Sequence, residues 1–147
     1  MSGQALSSAH RSKPSTAARK LRILIVDDAH DMVLTLGSLL RDEGHVVDGV
    51  YCARDVMPAV KDFNPDVVLL DIALPDGSGY AIAEHIRRRY GANRPMIIAL
   101  TGVYARPPHD KLYRIVGCDH FLNKPFAVGD VLCLIEPLTL ESGPTPR

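Results

Sequence analysis

Three carboxylates, a hydroxyl and an ammonium stand at the ends of four short apolar runs in this chain. Ile23–Val26 is followed by Asp27 and Asp28, Val67–Leu70 by Asp71, Met96–Leu100 by Thr101, and His120–Asn123 by Lys124-Pro125. If these runs are parallel strands of one sheet, their carboxyl ends share an edge, where open α/β sheets place their ligands. Like charges crowded together repel, and proteins hold such clusters by protonating one acid or by binding a cation. An all-oxygen donor set suits Mg²⁺, which keeps several waters and leaves room for phosphate oxygens. Exposed strand-end acids are common singly; an adjacent pair joined by a third from another strand is not. With a cation in the pocket, Asp71 can act as a nucleophile toward a phosphoryl group. Such a transfer asks mainly for in-line positioning and for charge stabilisation on the equatorial oxygens. The Lys124 ammonium, a compact point charge, and the Thr101 hydroxyl supply that stabilisation.

These residues converge only if the elements between them set the strands side by side. Leu21–Val26 reads as a strand buried on both faces, followed by a helix with Val33, Leu36 and Leu40 on one side and Gly44 at its end. Val46–Tyr51 is a less apolar strand suited to an edge. Val56, Ala59, Val60 and Phe63 form a helical stripe, and Pro58 is tolerated if Asp55 is the N-cap. After the Val67–Leu70 strand, Ile82, Ile86 and Tyr90 mark a helix ended by Gly91, with Arg87–Arg89 as its wet face. Pro107 or Pro108 opens a further helix with Leu112, Ile115 and Val116, ended by Gly117. Asp119–Asn123 is the last strand. Val131, Leu132, Leu134 and Ile135 belong to a short final helix. Alternating strands and helices imply a doubly wound five-stranded parallel sheet with helices on both faces. The order 2-1-3-4-5 brings Asp27 and Asp28 beside Asp71.

Bulk properties agree with a soluble one-domain chain. Of 147 residues, 46% are hydrophobic and 23% charged, within the globular range. The zero net charge conceals an asymmetry: Arg11, Lys13, Arg19, Lys20 and Arg22 face no acid within residues 1–22, so the remainder is acidic. That remainder lacks the basic face of a nucleic-acid reader. Residues 1–20 are expected to form a disordered basic tail, 21–136 the domain, and 137–147 a second tail. Cys52, Cys118 and Cys133 show no paired spacing and suit reduced intracellular thiols. No run approaches a membrane helix or a signal peptide, so a cytoplasmic, non-membrane protein is expected.

Asp27-Asp28, the L-L-D-I-x-L-P of Leu69–Pro75, the L-T-G of Leu100–Gly102 and the K-P-F of Lys124–Phe126 together resemble the receiver domain of two-component response regulators, over residues 21–136. The resemblance implies a flavodoxin-like receiver fold of the chemotaxis-regulator superfamily. Asp71 would be the phospho-acceptor, served by a sensor histidine kinase or a histidine phosphotransfer protein. Asp27 and Asp28 would be the Mg²⁺ acids, with the Ala73 backbone carbonyl as a further ligand. Thr101 and Lys124 would sense and hold the phosphoryl group, Phe121 would be the aromatic switch, and Lys124-Pro125 would be cis. Phe121 departs from the common Tyr and would move by packing alone. The loop Gly102–Pro108 is slightly long, and a short final helix would shrink the partner-facing surface.

The expected function is therefore a phosphorelay receiver, not an enzyme beyond Mg²⁺-dependent self-phosphorylation and self-dephosphorylation. With few residues after the final helix, no DNA-binding output domain is expected, and signalling would proceed by contact with a downstream protein. A phosphorylation-independent binding module of the same fold is the alternative. Other readings are weaker. Gly77-Ser78-Gly79 has Ile82 where a dinucleotide loop needs its third glycine, and residue 73 is Ala where a dehalogenase-type phosphatase needs its second Asp. A flavin phosphate would be repelled by Asp27 and Asp28.

Overall fold

The structure, a computed structural model, describes residues 18–102 and 117–141. Most of the expected basic tail, the loop beyond Gly102 and the helix expected after Pro107 or Pro108 lie outside the described residues. The elements run β1 (Arg22–Val26), α1 (His30–Asp42), β2 (Val46–Val50), a short 3₁₀ turn (Ala53–Asp55), α2 (Val56–Phe63) and β3 (Val67–Asp71). They continue with β4 (Ala73–Leu74), β5 (Gly77–Ser78), α3 (Gly79–Tyr90), β6 (Met96–Thr101), β7 (His120–Asn123) and α4 (Val128–Thr139). The main sheet is parallel in the order β2-β1-β3-β6-β7, the expected 2-1-3-4-5.

Alternation along the strands divides the core into two layers. Ile23, Ile25, Val67, Leu69, Ile98 and Leu100 pack on α1 and α4 through Val33, Leu36, Leu40, Val131, Ile135 and Leu138. Leu24, Val26, Val68, Leu70, Ile97 and Ala99 turn the other way, onto Val56 and Val60 of α2 and Ala83 and Ile86 of α3. Continuous apolar runs are what a strand covered on both faces requires. Each buried Leu or Ile contributes roughly 1.5–3 kcal/mol, enough to fix the strand order and hence the positions of the strand ends. β2 lies at the edge and exposes Asp48, a charge that discourages pairing with another chain.

Several local features depart from the sequence reading. Asp55 stands at the N-cap of α2, yet its side chain makes no capping bond and accepts from the Cys52 thiol instead. The preceding turn is held by Asp76, whose carboxylate accepts from the N–H groups of Ala53 and Arg54. Asp76 lies in the turn of a small antiparallel hairpin, β4–β5, that periodicity did not reveal. Arg87 is not part of a wet face. Its side chain is only 12% exposed and donates to the carbonyls of Gly117 and Pro95, both at 2.8 Å, and to Asp119 at 2.7 Å. It thereby pins α3 to the starts of β6 and β7.

The two ends also differ from the expected boundaries. α4 is not short: it continues through Pro137 to Thr139. Pro137 removes one helical N–H in the last turn, a cheap place for the loss, while buried Leu138 anchors that turn and the Thr139 hydroxyl donates to the Glu136 carbonyl. Arg19, assigned to the tail, is built into the fold. Its N–H donates to the Thr139 carbonyl at 2.8 Å, and its guanidinium pairs with Asp66 and Glu141. Arg94 pairs with the same two acids, which closes a four-membered ionic ring at the amino edge of the sheet.

The ring's anchor is Asp66, 4% exposed, which also accepts from the Arg22 N–H at 2.8 Å. Truncating it takes one acid partner from each of two guanidinium groups, which keep Glu141, and removes the acceptor of the Arg22 N–H. Asp66→Ala should therefore lose about 2–3 kcal/mol in urea unfolding. Glu141→Gln, at a more exposed corner, should lose less than about 1 kcal/mol. Equal losses from the two would contradict the assignment of Asp66 as anchor.

Candidate functional site

The strand ends do meet. Asp27 leaves β1 with its N–H bonded to the Val50 carbonyl at the end of β2. Its Oδ1 accepts from Ala29 N–H at 2.9 Å and shapes the entry to α1. Asp71 is the last residue of β3, and its Oδ1 accepts from Ala73 N–H at 2.9 Å. Thr101 closes β6, and its carbonyl accepts from Lys124 N–H at 2.7 Å, which places Lys124 just beyond β7. The Lys124–Pro125 peptide is cis, as expected; Arg94–Pro95, which the sequence reading did not mark, is cis as well. Asp27 and Thr101 are fully buried, Asp71 nearly so, and Asp28 is exposed at the rim.

A hairpin and a glycine hold Asp71 in place. β4 and β5 fold back just after it, and Ser78 caps α3 by accepting from Tyr80 N–H at 3.1 Å. Gly79 then brings the start of α3 against β3: a Cβ there would lie 2.3 Å from the Asp71 carbonyl oxygen and 2.6 Å from Ile72 Cα. The glycines that faintly suggested a dinucleotide loop thus serve a tight turn and a close backbone approach.

Electrostatics knit the pocket together. Carboxylate oxygens of Asp27, Asp28 and Asp71 all lie within 4.8 Å of one another. The Lys124 ammonium bridges two of these acids, 2.5 Å from Asp27 Oδ2 and 3.3 Å from Asp71 Oδ2. Burial first, and then the charge of Asp27, hold the Asp71 carboxyl above the ordinary carboxylate range, against the opposing pull of Ala73 N–H and Lys124. Burial pulls the Lys124 ammonium down, but Asp27 and Asp71 together outweigh it and leave it above the ordinary lysine value.

The residues fit a hard divalent cation. The cluster is all oxygen, with one carboxylate oxygen from each of three acids close together, the donor set that a hard ion such as Mg²⁺ prefers. Asp27 Oδ2 is buried and outside any well-angled hydrogen bond, compensated in this arrangement by the ammonium of Lys124. Acids already held together by one cation are suited to receive another.

Phe121 sits on β7 opposite Ala99, half-buried against the layer formed with α2 and α3. The sequence reading missed Asn123, whose Oδ1 accepts from the Thr101 hydroxyl at 2.8 Å. Pairing the two strand ends in register was the signal that would have found it. The three cysteines are free thiols. Burial pushes the Cys118 thiol up to about 12, which makes it an inert core group.

Comparison with known proteins gives one consistent result. The family model for the response regulator receiver domain matches residues 23–136. The chain is 30% identical over 128 residues to the transcriptional regulatory protein TcrA of Mycobacterium tuberculosis, covering 86% of this chain and 49% of that protein. It is 31% identical over 117 residues to the aerobic respiration control sensor protein ArcB of Escherichia coli, covering 79% of this chain and 15% of that one. The chain spans about half the length of the curated relatives it first matches. Among solved structures, a CheY-like response regulator receiver domain protein from Methanospirillum hungatei aligns at a TM-score of 0.73 with 27% identity, covering 82% of this chain and 94% of that one. The chemotaxis regulator CheY4 of Vibrio cholerae, 21% identical with a TM-score of 0.72 over 82% of this chain and 99% of its own, shares the fold.

Proposed function

Because this chain belongs to the response regulator receiver domain family of two-component signalling, we propose that Asp71 is its phospho-acceptor, served by a histidine kinase or a histidine phosphotransfer protein. The observation that carries this reading is the Lys124 ammonium facing both Asp27 and Asp71 at the carboxyl edge of the sheet. Receiver domains are signalling modules and generally bind Mg²⁺ in an acidic pocket. In this chain Asp27, Asp28 and Asp71, with the Ala73 carbonyl, would hold the ion, which neutralises charge on the phosphoryl oxygens when bound.

The chain's own groups do the rest. An Asp71 carboxylate oxygen attacks phosphorus in line, the bond to the donor's imidazole nitrogen breaks, and the imidazole leaves with that electron pair. An acyl phosphate on Asp71 results. The ammonium of Lys124, already within reach of Asp71, pairs with a phosphoryl oxygen. The Thr101 hydroxyl donates to another. Both come from the ends of β6 and β7, so their movement shifts those strands and the surface beside them. That couples a local charge change to a two-state element. In this reading the output is altered protein contact, with Phe121 following by packing alone. A cytoplasmic setting, where phosphodonor kinases present their histidines, goes with it; among the described residues no helix is long and apolar enough to cross a membrane.

Beryllofluoride with Mg²⁺ tests the proposal, since the trifluoride mimics an acyl-bound phosphoryl group. Amide resonances of Asp71, Thr101 and Lys124 should shift together on addition. An unchanged spectrum would favour a receiver fold that docks partners without being phosphorylated.

A further inference from the structure

The hydroxyl assigned to phosphoryl sensing is already engaged. Thr101, fully buried, donates from Oγ1 to Asn123 Oδ1 at 2.8 Å. The two residues are register partners at the carboxyl ends of β6 and β7. The next residue, Lys124, returns its N–H to the Thr101 carbonyl at 2.7 Å. A hydroxyl has one proton to give. It serves the amide oxygen of Asn123 or a phosphoryl oxygen on Asp71, and not both at full strength.

We propose that Asn123 is a resting-state latch on Thr101, holding the hydroxyl proton on the β7 side until a phosphoryl group on Asp71 offers a better acceptor. This rests on Asp71 as the phospho-acceptor and assigns a control element to that same site. Asn123 is a positioning residue that acts through Thr101. Its exposure and the burial of Thr101 make the exchange one-sided. On release the Asn123 amide meets water at little cost, whereas the buried hydroxyl needs an acceptor in either state. An apolar residue at 123 leaves that hydroxyl unsatisfied only in the resting state, because the phosphoryl-bound state supplies its own acceptor. Loss of the latch therefore favours the phosphoryl-bound arrangement.

A double-mutant cycle on the full chain tests this, with Mg²⁺ and beryllofluoride titrated by calorimetry. Asn123→Ala should bind beryllofluoride about fivefold to tenfold more tightly than wild type, and the gain should vanish in a Thr101→Ala background. Asn123→Val, which keeps strand propensity, should show the same gain if the alanine variant is poorly folded. General damage to the site would weaken binding, so the sign itself discriminates. Unchanged or weaker binding in both Asn123 variants, or a gain that survives Thr101→Ala, overturns the latch and leaves the phospho-acceptor reading standing. A wild-type chain that binds no beryllofluoride overturns that reading, and the latch with it.

Discussion

Asp71→Asn is expected to take up no label from acetyl phosphate or from a cognate kinase, against full stoichiometric labelling of the wild type. The variant keeps the volume of the side chain and can still accept from Ala73 N–H, so far-UV circular dichroism and the unfolding cooperativity should be unchanged. What disappears is the nucleophile, since an amide oxygen cannot form a stable acyl phosphate. Acid-stable label persisting in the variant would place the phosphate on another residue.

The same substitution should alter stability in a pH-dependent way. Asp71 is held above the ordinary carboxylate range, chiefly by burial. A raised acid destabilises the fold wherever it is ionised, above its folded pKa, and that penalty is relieved as the pH falls through the folded value toward the unfolded one. Metal-free wild type should therefore gain stability relative to Asp71→Asn as the pH is lowered from neutral into the carboxylate range. Mg²⁺, which favours the ionised form, should cancel that difference. Thermal melts of both proteins across this range, with and without Mg²⁺, report it directly. A constant gap between the two curves would mean that burial does not govern Asp71.

The second large effect is expected at Gly79, which bears no functional group. A methyl there would sit 2.3 Å from the Asp71 carbonyl oxygen, and the atoms in its way are backbone, which cannot swing aside. Gly79→Ala should destabilise the domain by about 1–3 kcal/mol, the usual range for overpacking. It should also slow phosphorylation and weaken Mg²⁺ binding out of proportion, because the segment forced to move is the one that carries Asp71. Gly129→Ala in α4, where an added Cβ meets nothing within 4 Å, is the control and should be neutral or slightly stabilising. Gly79→Ala with wild-type Mg²⁺ affinity would show that the close packing of α3 on β3 does not set the acid's position.

The sheet order and the convergence of Asp27, Asp28, Asp71, Thr101 and Lys124 were legible because each rests on a local signal. A buried strand is a continuous apolar run, and where it stops a polar residue begins. Gly91 and Gly44 marked helix ends for the same reason: the left-handed backbone there has a chemical requirement. What stayed hidden depends on partners distant in sequence. Arg87 looks like its exposed neighbours Arg88 and Arg89 until three acceptors from other segments surround it. Asn123 looks like a strand-end polar residue until Thr101 is set opposite. Pro137 looks like a stop until Leu138 and Arg19 hold the turn that follows. The β4–β5 hairpin, two residues a side, is too short to show any period.

The ionic ring of Arg19, Asp66, Arg94 and Glu141 fastens the point where the chain enters β1 to the point where it leaves α4. Entrance and exit thus share one pole, on the side of the sheet away from the acids. Among the described residues, the backbone at Arg19 and at Thr139 lies at that pole, and the acid cluster lies at the other. The described core is thus tied off at its back, while its acids open at the front.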